Sequence, residues 1–581
     1  MKGGLAMGEP AHGMTAIAAM ERLEREDAIG QLRRREGDMA RLGSEDGALK
    51  LDWVEMVPWL LAHPDTLATV EQEAAELLAR GIRHIVWAGM GGSVLSVRVM
   101  AELGFASAPC AIHPLDSTDP AALNAILAEI NGDFAHTMMI GVALGMTSEE
   151  PISHLEWFAD ILTEEGLALA EHQLAMALPN SYLDRYARDH NVRRLPLQLD
   201  GGSGTGGRMS APGTRVFLLP AALFLAGQGE RPGALHDVLR RAWTAYNLDS
   251  AQATLRANQW VVLATLLAGV AREGVVRLSM ETPQGWEALR AWTEQLMEES
   301  LGKGGKGIMV FAPYATPKFA PLSLRLLITG KADPRERADW VIVEPLIASD
   351  KPLERLAGLA ALYLGFQLTM ALYGYLWDIP FAGQPAVENY KARARELRDS
   401  IAPDLARPVY ESASSRFGRL ALSPDLGPDN LKPDPAQPAA YLDMTINGEA
   451  GLVDTDALAA LEEGLWRLAV ERLGIPYKLR RAPADYHSTE QGEMDGPSGV
   501  ISVRALALKH APSARGSYTP RFLEAQAVAT WQAMRSQGRN CYLALYDGTI
   551  AEMLPALSAY LAQLAARLAW PVLGESEDTE E

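Results

Sequence analysis

What most constrains this chain is a repeated alternation of short apolar runs with helical patterns. HIVWAG (84–89), CAIHPLD (110–116) and TMMIGVAL (137–144) are of strand length, and residues of mixed charge at helical spacing separate them. Strands joined through helices must run parallel, because a parallel pair needs a long crossover and the crossover is right-handed. A glycine turn, Met90-Gly91-Gly92-Ser93, follows the first run and leads into a helical pattern, the opening of an α/β unit. A second series, VVRLSM (275–280), GIMVFAP (307–313) and WVIVEP (340–345), predicts a second doubly wound parallel sheet.

At 581 residues the chain exceeds what one core supports, since cores stop growing near ~250–300 residues. We expect an N-terminal helical segment (1–75), a first α/β domain (76–250) and a second (251–422). A Pro/Asp-rich linker (423–438), a smaller α+β module (439–575) and an acidic tail (576–581) complete the division. Residues 14–42 carry interleaved charges of both signs, as on a surface helix. The uncharged run 356–377 is long enough to span a bilayer, but it contains Gln367, Thr369, glycines and tyrosines, and it reads as a buried core helix.

A net charge of −20 opposes nonspecific binding to nucleic acid or to an anionic membrane. Only Cys110 and Cys541 occur, far apart, so neither a disulfide framework nor a thiolate metal site is expected. With no secretory pattern at the N-terminus, these features point to the cytoplasm.

Several motifs could carry chemistry. Glu299 precedes the Lys303-Gly304-Gly305-Lys306 loop, and Gln295 lies one helical turn earlier on the same face. The loop fails the P-loop pattern, because neither lysine is followed by Ser or Thr, and it reads as a basic turn. Each motif alone also fits ordinary structure. Their order along the chain carries more: HIVWAGMGGS, LDSTDPAAL (115–123), GGRMS (206–210), EESLGK (298–303) and QPAVENYK (384–391) resemble glucose-6-phosphate isomerases. The resemblance is closest to the isomerase half of bacterial transaldolase/glucose-6-phosphate isomerase fusions, which ends in segments similar to DYHSTEQ (485–491) and to 517–540. No room remains for a transaldolase barrel, which needs about 250 residues.

The resemblance implies two sugar-isomerase domains, each a helix–sheet–helix sandwich, and interconversion of glucose 6-phosphate and fructose 6-phosphate through a cis-enediol. It makes Glu299 the base, Arg208 the enediolate stabiliser and Lys391 the contact near the ring oxygen. Gly92, Ser93, Gly145, Thr147, Gln295 and Gln384 would bind substrate. It implies no metal or organic cofactor, a sugar-phosphate partner, and a homodimer with sites near the subunit interface. The pattern also breaks. The family's serine-lysine-serine phosphate run is replaced by Val142-Ala143-Leu144, and Pro212 and Gly213 alter the loop after Arg208. The ring-opening histidine is missing, because no histidine lies between His236 and His487, and His487 is the candidate substitute. A noncatalytic sugar-phosphate-binding protein derived from the isomerase, or an isomerase of another sugar, therefore stays open beside the first reading.

Overall fold

The structure, a computed structural model, describes residues 14–107, 109–246, 255–317, 322–331, 338–400, 404–431, 441–487 and 490–568, apart from the side chains of 388–390 and 486–487. The acidic tail lies outside the described residues.

The first sheet has five parallel strands in the order Ala111–Leu115, His84–Ala88, Thr137–Ala143, Gln173–Ala177, Arg193–Pro196. The second has four, in the order Trp340–Val343, Ser323–Thr329, Val275–Glu281, Gly307–Phe311, again all parallel. The expected runs supply three strands of each sheet, and Gln173–Ala177, Arg193–Pro196 and Ser323–Thr329 were not read from the sequence. The central strands of both sheets are apolar at nearly every position because helices cover both faces: all seven residues of Thr137–Ala143 are buried.

The C-terminal module carries its own six-stranded sheet. Tyr477–Ala482, Tyr441–Asn447, Val500–Ala507 and Asn540–Tyr546 run parallel, and the hairpin of Ser415–Phe417 and Leu420–Ser423 adds antiparallel at the far edge. Of the expected linker, Ser423 closes a strand and Pro428–Asn430 form a 3-10 turn, while 432–438 lie outside the described residues.

The N-terminal segment differs from the single helical pattern read over 14–42. Asp27 and Arg35 take left-handed backbone conformations, at φ 47° and 55°, and divide it into Ala16–Arg25, Ala28–Arg34 and Gly37–Leu42. Breaking the helix lets Leu23, Leu32 and Leu42 all reach the core.

The uncharged run forms the helix Pro352–Trp377, in which every residue from Leu356 to Leu376 is buried. It is the one described helix long and apolar enough to cross a membrane, and its apolar window is wholly covered by protein. Each large apolar side chain so covered contributes roughly 1.5–3 kcal/mol. Its polar Gln367 is satisfied: Nε2 donates to the carbonyls of Met209 (3.2 Å) and Ala211 (2.7 Å), tying down the loop that follows Arg208.

A buried ionic cluster joins the C-terminal module to the helix Ala288–Leu301. The Lys478 ammonium meets Glu294 at 2.7 Å and also Glu298, while Arg480 reaches Glu294 (2.8 Å), Glu298 (3.2 Å), Asp443 (3.1 Å) and Glu493 (2.7 Å). Lys478 also lies over the rings of Phe311 (4.9 Å) and Tyr441 (5.4 Å). Removing one partner of such a cluster leaves charge buried without compensation. Arg480→Met is therefore expected to lower stability by about 3–5 kcal/mol, read as a fall in the urea midpoint. An unchanged midpoint would show that the cluster does not hold the module in place.

Candidate functional site

In a doubly wound sheet, ligands bind outside the carboxyl ends of the strands where the strand order reverses. In the first sheet that point lies between His84–Ala88 and Thr137–Ala143. The turns after these two strands hold Gly92 and Ser93 on one side, and Gly145 and Thr147 on the other. Gly92 is needed by close approach. A Cβ there would lie 2.1 Å from the Gly207 carbonyl oxygen, so the first glycine turn packs backbone to backbone against the turn that presents Arg208. Ser93 is buried, and its carbonyl accepts from Trp87 Nε1 at 2.8 Å. Gly145 is exposed and Thr147 half-buried. Val142, Ala143 and Leu144, standing where the family has phosphate donors, are buried among core side chains.

The centre of the site is the end of the helix Ala288–Leu301. Every residue of it from Gln295 to Leu301 is buried, and the Trp292 ring packs 4.1 Å from that of Tyr363. Gln295 and Glu299 lie one turn apart on the same face, and Gln295 Nε2 donates to Glu299 Oε2 at 3.0 Å. Arg208 Nη1 donates to Glu299 Oε1 at 3.0 Å, and its Nε donates to Ser300 Oγ at 2.6 Å. The Glu299 carboxylate, its side chain 9% exposed, thus sits between an amide and a guanidinium. Gln295 Oε1 is buried and makes no hydrogen bond in the structure, an acceptor at the site beside the carboxylate.

The remaining donors of Arg208 grip the segment that leads to Lys391. Nη2 donates to the carbonyls of Phe381 (2.8 Å) and Gly383 (3.0 Å). Lys303 Nζ donates to the carbonyls of Pro380 and Ala382, both at 2.7 Å. Burial, with the Arg208 charge nearby, holds the Lys303 ammonium well below the ordinary lysine range, against the opposing pull of Glu299. The basic turn is therefore a brace, not a nucleotide loop. Gln384, half-buried, caps the helix Pro385–Asp399 that carries Lys391.

Lys391, Arg395 and Arg398 recur at helical spacing and line one cleft with Thr147, Ser148 and Glu149. Arg395 Nε meets Glu149 Oε1 at 3.2 Å and Arg398 Nη1 meets Oε2 at 3.0 Å. The cleft holds about 30 Å³, room for little more than one or two waters. His487 ends the short helix Ala484–His487, and its side chain lies outside the described atoms.

Of the expected residues, Glu299, Gln295 and Arg208 are in direct contact, Gly92 packs against the Arg208 turn, and Lys391 and Thr147 share a cleft whose lining includes none of those three. Ser300, Lys303 and the Arg395/Arg398 pair were not singled out by the sequence. Ser300 and Lys303 flank the glutamate in EESLGK, and a buried pattern continuing past Glu299 would have been their only signal. The arginines read as the solvated face of KARARELR, with nothing to indicate an acidic partner so far away in the chain.

No family model matches the chain. The curated glucose-6-phosphate isomerase of Synechococcus sp. (strain JA-3-3Ab) is 28% identical over 224 residues, 38% of this chain and 40% of that protein. The chain thus matches about two fifths of the length of that relative. A probable glucose-6-phosphate isomerase of Haloquadratum walsbyi is 26% identical over 419 residues, 65% of this chain and 91% of that protein. The crystal structure of a glucose-6-phosphate isomerase from Chlamydia trachomatis superposes with a TM-score of 0.51 at 17% identity, covering 68% of this chain and 88% of that one, and shows the shared fold. This chain is similar in sequence to curated glucose-6-phosphate isomerases and shares the sugar-isomerase fold.

Proposed function

We propose that this protein is an aldose–ketose isomerase interconverting glucose 6-phosphate and fructose 6-phosphate in the cytoplasm. The observation that carries the reading is the Glu299 carboxylate held between the Gln295 amide and the Arg208 guanidinium. Aldose–ketose exchange needs one base to take the proton from C2 of the open-chain aldose and return it to C1 of the enediol. Glu299 has lone pairs to spare for this, because a carboxylate accepts about four hydrogen bonds and the amide and the guanidinium supply one each. As the proton leaves, charge develops on the oxygens at C1 and C2, and Arg208 is the permanent cation beside them. The unpaired Gln295 Oε1 suits a sugar hydroxyl donor. Lys391 is assigned the ring oxygen, where an ammonium assists opening of the cyclic form.

The phosphate needs a different account from that of the relatives, because Val142-Ala143-Leu144 offers no side-chain donor. We assign it to the cationic face of Arg395 and Arg398, opposite Thr147 and Ser148. Glu149 holds both guanidiniums now, so the phosphate enters by displacing that carboxylate. The competing reading, an isomerase of a neutral sugar, draws on the same ion pairs and on the buried apolar run: there Glu149 would stay in place.

Three measurements test the assignment, all in a coupled assay with fructose 6-phosphate. Glu299→Gln keeps the shape and removes the base, and kcat is expected to fall by about 10²–10⁴-fold. Arg208→Lys keeps the charge but lacks the fork that reaches Glu299, Ser300 and the 381–383 backbone together, and kcat is expected to fall by about 10²-fold. Arg395→Ala with Arg398→Ala is expected to raise KM by about tenfold or more, with a smaller change in kcat, and to weaken inhibition by inorganic phosphate. Turnover of a neutral sugar in preference to its phosphate would select the competing reading. Binding of fructose 6-phosphate without turnover would select a noncatalytic binding protein.

A further inference from the structure

The helix that carries Glu299 and the helix that carries Lys391 are held together by a side chain from neither α/β sheet. Gln491 lies in the short helix Glu490–Asp495 of the C-terminal module and is fully buried. Its Oε1 accepts from the backbone N–H of Ala386 at 3.0 Å, in the first turn of the Lys391 helix. Its Nε2 donates to the carbonyl of Gly302 at 3.1 Å, the residue that caps the Glu299 helix, with a longer contact to Asp495 Oδ2 at 3.4 Å. The first N–H groups of a helix and its last carbonyls have no partner within the helix. One planar amide, donor on one side and acceptor on the other, satisfies one of each at once.

The approach of the module is close at that point. A Cβ on Gly302 would lie 2.4 Å from Gly492 Cα, so only glycine lets the two backbones meet, and Gly305 N donates to the Asp495 carbonyl at 2.9 Å. Glu299 stands three residues before Gly302, and Lys391 five residues after Ala386. A lever this short transmits the placement of the amide directly to both side chains.

We propose that Gln491 is a positioning residue that sets the Lys391 helix against the Glu299 helix, and that the C-terminal module thereby completes the site without touching substrate. This rests on the reading that Glu299 and Lys391 serve one substrate. Gln491→Met keeps the length and the burial and loses both hydrogen bonds. In the full chain it is expected to lower kcat by roughly tenfold or more with KM moving less than about threefold, since small misplacements of reacting groups are costly. It is also expected to speed amide exchange in a peptide spanning 384–391. Gln491→Glu keeps the acceptor for Ala386 but turns an oxygen toward the Gly302 carbonyl. It should leave exchange over 384–391 near wild type and raise it around 302, with an intermediate kcat. A merely structural role would lower the unfolding temperature and leave kcat per folded molecule unchanged, and that result would overturn the proposal. If the wild type turns over no sugar phosphate, the reading of the previous subsection fails, and the exchange measurements still decide this one: unchanged protection over 384–391 in Gln491→Met overturns it. Should Gln491→Met not fold, Gln491→Glu decides on the same readouts.

Discussion

A buried carboxylate holds its place only where donors and cations meet it, and the helix ending at Leu301 carries two in succession. Glu298 and Glu299 point in different directions, about 100° apart around the helix. Glu298 accepts from the Val310 N–H at 2.9 Å and meets Lys478 and Arg480 of the C-terminal module. Burial still pushes its carboxyl above the ordinary range, with the Lys478 charge opposing. Glu299 turns to Gln295 and Arg208. The same helical turn is therefore anchored by one glutamate, and the next is the one assigned as base.

The segment 380–384 is where the separate parts become one site. Its carbonyls accept from Arg208, in the turn Gly207–Met209 beyond the first sheet, and from Lys303, after the Glu299 helix. Gln491 reaches the next turn from the C-terminal module. Each donor group is charged or buried or both, and a buried donor left without its acceptor costs roughly 1–3 kcal/mol. The three contacts resist separate loss for that reason. Lys391, the residue assigned to a sugar oxygen, thus depends for its position on backbone contacts contributed by three distant stretches of chain.

In the proposed reading, the cleft beside Thr147 receives the phosphate that Val142, Ala143 and Leu144 cannot hold. Val142, Ala143 and Leu144 are buried among core side chains, and Arg395 and Arg398 stand on the helix facing Thr147. Two guanidiniums matched to one carboxylate form the sort of planar, charge-assisted contact that also suits phosphate oxygens. The C-terminal module closes this cleft as well: Phe522, Ala525 and Gln526 line it, and Gln526 Nε2 donates to Glu150 Oε1 at 3.2 Å.

The parallel sheets were legible because strand-length apolar runs separated by helical periods admit few other arrangements, and the burial of Pro352–Trp377 followed from its glycines and polar residues. The Glu299–Gln295 contact was legible too, since a spacing of four residues on a helix fixes it. The three-part N-terminal segment was not, because left-handed Asp27 and Arg35 carry no mark in the sequence. Nor were Lys303, which reads as a loop cation, and Arg395 and Arg398, which read as surface charge. The sequence by itself determined the local periods, and with them the sheets and the helix on which Glu299 stands. Only the tertiary structure decided which distant groups meet: Arg208 with Glu299, Gln491 with Gly302 and Ala386, Glu149 with two arginines. The physical reason is that a hydrogen bond or ion pair between residues far apart in the chain depends on burial and on close backbone approach, and neither is written in local spacing.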